Sequence, residues 1–266
     1  MQRRIAPQEP PAGWHSSAEW IGLAAGLAGV VIFGLTLPMT HYALTGFDHY
    51  IVGVGRAVPA SVLAGAILAV TRQPFPERRH WRALGIVAAG VIFGFPILAT
   101  AAMQYAPAAH GAVILAILPL ATAMAGAVMA GERPSRGFWI AGIAGWLLVL
   151  AFAMVEAGGI ALGVADLLLV AAVPATAIGY AQSGVLARAL GGWQVISWAL
   201  VFSLPFQLLA IALLAEPFNW AASGQAWLGF LYVAFMSQFF GFFFWNTGMA
   251  LAGVARTGQL QLLQPF

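Results

Sequence analysis

Residues 81–103 read WRALGIVAAGVIFGFPILATAAM, and residues 227–249 read WLGFLYVAFMSQFFGFFFWNTGM. Each stretch opens on a tryptophan, and after Arg82 neither carries a charge over about 20 residues, the length a helix needs to cross a bilayer core. An offset of 146 positions lays one on the other, placing Trp81 on Trp227, Phe93 on Phe239 and Met103 on Met249. Extended in both directions without a gap, the same offset puts Pro59 on Pro205 and Pro119 on Pro265. The chain is therefore read as an internal duplication of membrane-spanning helices, the pattern of many secondary transporters.

Composition agrees. Of the 266 residues, 62% are hydrophobic and only 7% charged, with a mean hydropathy of +0.90. Soluble domains carry about 25% charged residues, so a water-soluble globule is excluded. With no cysteine, disulfides, thiolate metal sites and thiol nucleophiles are excluded together. Apolar runs of spanning length fall near 20–44, 50–70, 81–105, 109–130, 137–156, 164–187, 193–215 and 226–250, and a ninth begins near 255. Residues 1–19 hold Arg3, Arg4 and three prolines but no apolar run, and are expected to form a disordered cytoplasmic tail.

All eleven basic residues are arginines. With the tail inside, the inner segments hold Arg3, Arg4, Arg72, Arg78, Arg79, Arg82, Arg133, Arg136, Arg188 and Arg256. The outer loops hold Asp48, Glu156, Asp166 and Glu216 and no arginine. This is the positive-inside pattern, so the basic excess needs no nucleic acid to explain it. The N-terminus is expected in the cytoplasm, and the membrane is expected to be a bacterial inner membrane. Five spans separate the copies, an odd number, so the second copy must be inverted. The first repeat is expected over 20–156 and the second over 164–266. The expectation is an all-α, ten-helix 5+5 bundle, nine spans visible and the last cut, with about 30–40 residues lying beyond Phe266.

Several of these stretches resemble the EamA-type transporters of the drug/metabolite transporter superfamily. Ala101-Ala102-Met103-Gln104-Tyr105-Ala106-Pro107-Ala108-Ala109, running on to Pro119, is similar to that family's third-to-fourth span. Gly131-Glu132-Arg133-Pro134-Ser135 followed by Gly142 resembles its turn into the fifth, and Arg56 in Gly55-Arg56-Ala57 is similar to its arginine in span two. The first span departs, with Ile32-Phe33-Gly34-Leu35 where many members show a Trp-Gly pair. The resemblance implies two inverted halves around a central cavity, alternating access, and export of small metabolites, more loosely of aromatic and other neutral amino acids.

Intramembrane polar groups are the functional candidates, because each costs free energy unless it lines water or meets a partner. Arg56 lies about six residues, ~9 Å, inside the outer end of its span. An arginine at mid-bilayer costs roughly 2.5–3.5 kcal/mol on insertion scales, which argues against a lipid-facing site. It is read as a carboxylate or gate contact, or else as a side chain that snorkels or bonds a carbonyl. His41, Gln104, Tyr105 and His110 fall at the same outer level and are candidates for an outer gate with it. Tyr180, Gln182, Ser183, Ser237, Gln238 and Asn246 sit nearer the midplane, and Gln259, Gln261 and Gln264 crowd the ninth span, so one or two of them are expected to line a cavity. The aromatic run 239–245 offers stacking surface or lipid contact. The Gly22/Gly26 and Gly90/Gly94 pairs have the spacing of close helix packing. Glu132 is expected to pair with Arg133 or Arg136, or to cap the next helix.

No acidic residue lies mid-span, which disfavours a buried proton-exchanging carboxylate. No His-Glu-x-x-His or Gly-x-Ser-x-Gly occurs, and the two aspartates both sit at outer ends, so an enzyme is not expected. The leading reading is an exporter of neutral or aromatic amino acids or similar zwitterions, with no cofactor or metal, working as monomer or homodimer. The alternatives are an organic-cation or drug exporter, a nucleoside or sugar carrier, and, remotely, a membrane scaffold.

Overall fold

The computed structural model describes residues 17–157 and 163–264. Within them every regular element is a helix, with no strand. Six helices are each long and apolar enough to cross a membrane: Ser17–Leu44, Ile51–Val70, Arg78–Ala102, Val164–Leu190, Gly192–Leu214 and Gly224–Ala252. They are spans 1, 2, 3, 6, 7 and 8. Span 4 is divided into Ala108–Leu115 and Leu118–Met129, span 5 is Arg136–Ala157, and span 9 runs Val254–Gln259 before tightening into a 3-10 turn, Leu260–Leu263. The tail before Ser17 and the end of the chain at Pro265 lie outside the described residues.

Four of the interruptions stand upstream of prolines, although Pro174 and Pro205 lie inside unbroken helices. A proline has no N–H for the carbonyl four residues back, and its ring crowds that carbonyl. Pro38 is four residues after Gly34, where the first helix of span 1 ends, and Pro119 is four after Leu115, where the first part of span 4 ends. Pro59 follows a π-helical segment, Ile51–Gly55, by the same four residues, and Pro96 looks back into another, Ala88–Gly94. A third π segment, Tyr232–Phe240, has no proline after it. It occupies the place in span 8 that Ala88–Gly94 has in span 3.

Element boundaries recur at the offset seen in the sequence. Span 3 passes from helix to π segment to helix at Arg78, Ala88 and Phe95, and span 8 does so at Gly224, Tyr232 and Gly241. Span 4 starts at Ala108 and span 9 at Val254; span 1 ends at Leu44 and span 6 at Leu190.

Helix packing interlocks the two copies. Spans 1 and 8 run antiparallel with backbones nearly touching: a Cβ on Gly22 would lie 2.9 Å from the Ala252 nitrogen, and one on Gly248 2.9 Å from Gly26 Cα. Spans 3 and 6 repeat the arrangement, where a Cβ on Gly90 would come within 2.8 Å of Gly179 Cα. Without a hydrophobic drive between helices in lipid, such small-residue contacts let dispersion and backbone dipoles hold the pair. Spans 2 and 7 cross at Ser61 and Gln207, which are 146 positions apart and 3.1 Å from each other, Oγ to Oε1. A residue that touches its own counterpart lies on the symmetry axis. Here that axis passes between antiparallel helices, as an inverted repeat requires.

Candidate functional site

Two of the π segments, Ala88–Gly94 and Tyr232–Phe240, and Arg56, the residue after the third, reach the same cavity. It is lined by Phe33, Thr36 and Leu37 of span 1, Arg56 of span 2, and Val91 and Phe95 of span 3. Leu115 and Leu118 of span 4, Thr176 and Tyr180 of span 6, Ser237, Gln238 and Phe242 of span 8, and Gln264 after span 9 complete it. Val91 and Ser237 are counterparts at the repeat offset, as are Leu118 and Gln264, so the cavity straddles the axis. Its free volume is about 30 Å³, room for about one water. A space of this size does not hold a metabolite without movement of the surrounding side chains or helices.

Among the described residues Arg56 is the cavity's only charged group. It stands immediately after the π segment Ile51–Gly55 and is 3% exposed, and its Nε has no hydrogen-bond partner among them. No acidic side chain of a described residue lines the cavity. Every other described arginine is exposed. Burial this complete removes the snorkelling alternative for this conformation. A buried guanidinium without a counter-charge is strongly unfavourable, and the cost falls when an anion or water occupies the space in front of it.

The neutral polar groups are partly committed. Thr36 and Ser237 share a hydrogen bond of 2.8 Å between their hydroxyls. Gln238 Nε2 donates to the Val91 carbonyl at 3.2 Å, and Gln264 Nε2 to the Phe33 carbonyl at 3.2 Å. Val91 lies within a π segment, where the widened turn leaves carbonyls turned away from helix partners. Both amide oxygens and the two hydroxyls keep acceptor capacity. One wall is aromatic: Phe33 stacks on Tyr180 at 6.2 Å with planes 14° apart, and Phe242 meets both edge-on. Behind them Trp245 is fully buried, its ring 5.2 Å from Tyr180.

Of the residues singled out in the sequence, the structure brings Arg56, Tyr180, Ser237, Gln238 and Gln264 together. It holds others elsewhere. Ser183 donates to Asn246 Oδ1 at 2.7 Å and Asn246 Nδ2 to the Gly192 carbonyl at 2.9 Å, a chain that ties spans 6 and 8 to the turn between spans 6 and 7. Gln259 donates to the Phe138 carbonyl at 3.1 Å, joining span 9 to span 5. Gln182 is half-buried away from the cavity, and Gln261 is 3% exposed with both amide atoms unpartnered. The expected outer-gate group is not gathered around Arg56. His41 and Gln104 are exposed, Tyr105 is 65% exposed, and His110 instead bonds Asp166, Nε2 to Oδ1, at 2.7 Å.

Glu132 departs from both pairings expected for it. Its two oxygens accept from the Val254 and Ala255 amides at 2.7 Å each, capping span 9, and it pairs with Arg188 at 3.2 Å. A helix N-terminus carries unpaired N–H groups and positive dipole, which favour a carboxylate over a nearby surface arginine. Phe33, Thr36 and Thr176 were not singled out in the sequence. Thr36 carries one signal, as a hydroxyl in an apolar run two residues before Pro38.

A closed helical bundle with a polar, singly charged cavity on its pseudo-symmetry axis is the architecture of a membrane transporter. Residues 20–155 match the EamA-like transporter family. Over 248 residues the chain is 45% identical to the uncharacterized transporter YdeK of Bacillus subtilis (strain 168), covering 93% of this chain and 85% of that one. The chain belongs to the EamA-like transporter family. A protein of known crystal structure shares the fold, with a TM-score of 0.63 over 95% of this chain and 85% of that chain at 22% identity.

Proposed function

We propose that this transporter moves small zwitterions, neutral and aromatic amino acids foremost, out across the bacterial inner membrane by alternating access. The observation that carries the reading is Arg56, a buried guanidinium facing a cavity that holds no other charge. A carboxylate is the complementary group, and the planar fork would hold it through two parallel bonds. Ser237, Gln238, Gln264 and the Tyr180 face offer oxygens and π-density for the ammonium end. Phe33, Phe95 and Phe242 supply the apolar wall for a side chain. A permanently cationic drug has no counter-charge here and meets the repulsion of Arg56. In this reading the tail and the exposed arginines lie in the cytoplasm, which places Arg56 toward the outer side.

The test is efflux from cells preloaded with labelled neutral and aromatic amino acids, with a quaternary ammonium and a nucleoside alongside. Amino acids are expected to leave faster than from control cells. Arg56→Ala should lower that efflux roughly 10- to 100-fold, the worth of a charge-assisted hydrogen bond, at unchanged membrane abundance. Faster loss of the quaternary ammonium alone, or full efflux through Arg56→Ala, would overturn the proposal.

A further inference from the structure

Two ion pairs stand at opposite ends of the bundle. At one end His110, in the first turn of span 4, meets Asp166, in the first turn of span 6, at 2.7 Å. At the other, Arg256 in the first turn of span 9 pairs with Glu19 at the start of span 1. Span 9 is the repeat counterpart of span 4, and span 1 of span 6. His110 and Arg256 are related by the same 146-residue offset as Ser61 and Gln207, and the counterpart of Asp166 is Trp20, the neighbour of Glu19. Each pair bridges the first span of one copy and the fourth span of the other. The two ends are opposite in the structure itself, because Arg188 at the far end of span 6 lies with Glu132, which caps span 9 beside Arg256.

We propose that the two pairs are the latches of the two gates, and that His110 makes the outer latch proton-sensitive while Arg256 makes the inner one permanent. This rests on the transporter reading and extends it to regulation. To open the cavity at either end, spans 4 and 6, or 9 and 1, must separate, and these contacts stand across those separations. An arginine stays charged at every physiological pH, whereas an imidazole changes charge between about pH 5 and 8. Protonated, His110 holds Asp166 by charge and hydrogen bond together; neutral, it keeps the hydrogen bond alone. The outer gate is therefore held shut more firmly as the outer medium acidifies. Asp166 is itself anchored by the Gly163 amide at 2.7 Å, so its carboxylate is fixed in place. Around His110, span 6 contributes Asp166, and the outer part of span 1 carries His41 and Tyr42, both exposed. Asp166 alone is in hydrogen-bond contact with it among the described residues. The inner end carries more ties, since Glu132 joins Arg188 to the start of span 9.

The absence of cysteine gives a readout that needs no substrate. Leu37→Cys places a thiol in the cavity wall, and Tyr105→Cys places one on the exposed outer turn as a control for the pH dependence of the reagent itself. A membrane-impermeant maleimide is added outside intact cells between about pH 5.5 and about pH 8. The ratio of cavity to control labelling is expected to rise roughly twofold to fivefold across that range. With His110→Arg the ratio should stay low and flat, and with His110→Gln high and flat. The proposal is overturned if the parent ratio does not change with pH, or if its pH course survives either substitution. Labelling is independent of which solute is carried, so failure of amino-acid efflux and failure of the latch are read separately.

Discussion

A single residue separates the chemistry of this bundle from its scaffolding. Arg56, 3% exposed and facing a cavity, differs from the exposed arginines in having nothing to pay for its burial except what the cavity admits. Arg56→Lys keeps the charge but loses the planar fork, so efflux should fall about tenfold while the sign of the preference for carboxylates is kept; competition by carboxylate-free analogues measures it. Asn246 is the opposite kind of polar residue. Asn246→Leu strands the Ser183 hydroxyl and the Gly192 carbonyl, a loss of about 1–3 kcal/mol per unsatisfied group. Its melting midpoint in detergent should drop without a change in which solutes compete. The sequence could nominate both residues but not tell them apart. Polarity inside a span marks both, and only the partners decide, as they do for Gln264 at the cavity and Gln259 on the Phe138 carbonyl.

Among the elements, close packing and breaks were visible to different degrees. Span limits and the glycine pairs follow from hydropathy and spacing, which is why 20–44 or 193–215 lie within a few residues of Ser17–Leu44 and Gly192–Leu214. The breaks at Gly34 and Leu115 lie one turn upstream of Pro38 and Pro119, whereas Pro174 and Pro205 sit inside unbroken helices, so a proline alone does not tell which span is divided. The π segments were not legible, because one extra residue per turn leaves hydropathy unchanged. Yet Val91, Ser237 and Gln238, which line the cavity, all stand in such segments. The glycine contacts give a sharp expectation. Gly90→Val would drive a side chain into the Gly179 backbone and should abolish the folded, monodisperse protein on size-exclusion chromatography. Gly85→Ala, on the same span with nothing within 4 Å of the added carbon, should elute as the parent does and melt slightly higher.

For the molecule as a whole, orientation is the property written most plainly in composition. The exposed arginines Arg72, Arg78, Arg79, Arg82, Arg133, Arg136 and Arg188 flank span ends that gather on one side, with Arg256 at the start of span 9. In the proposed topology the positive-inside bias puts that side in the cytoplasm. A cysteine placed at Arg78 should resist an impermeant thiol reagent in intact cells and react after permeabilisation, and one placed at Gln104 should react at once; the reverse result would invert the bundle. The 146-residue offset was legible as a pattern, since the shift that aligns Trp81 with Trp227 also relates the helix starts at Ala108 and Val254. The way the copies interlock was not, because a shared offset carries no information about which spans touch.

The contact between Ser61 and Gln207 has a consequence for how two copies of one sequence grow apart. Were the halves identical, the side chain at that crossing would meet its own duplicate, and two identical glutamines or two identical serines would have to settle between them which one gives the proton and which receives it. Because the two residues differ, the roles are allotted: the serine hydroxyl lies 3.0 Å from the Leu200 carbonyl and 3.1 Å from the glutamine oxygen, and the glutamine amide turns back to Ser203 at 2.8 Å. A crossing that strict symmetry would make self-recognising is here a division of labour, which leaves the two faces of the bundle free to be unequal.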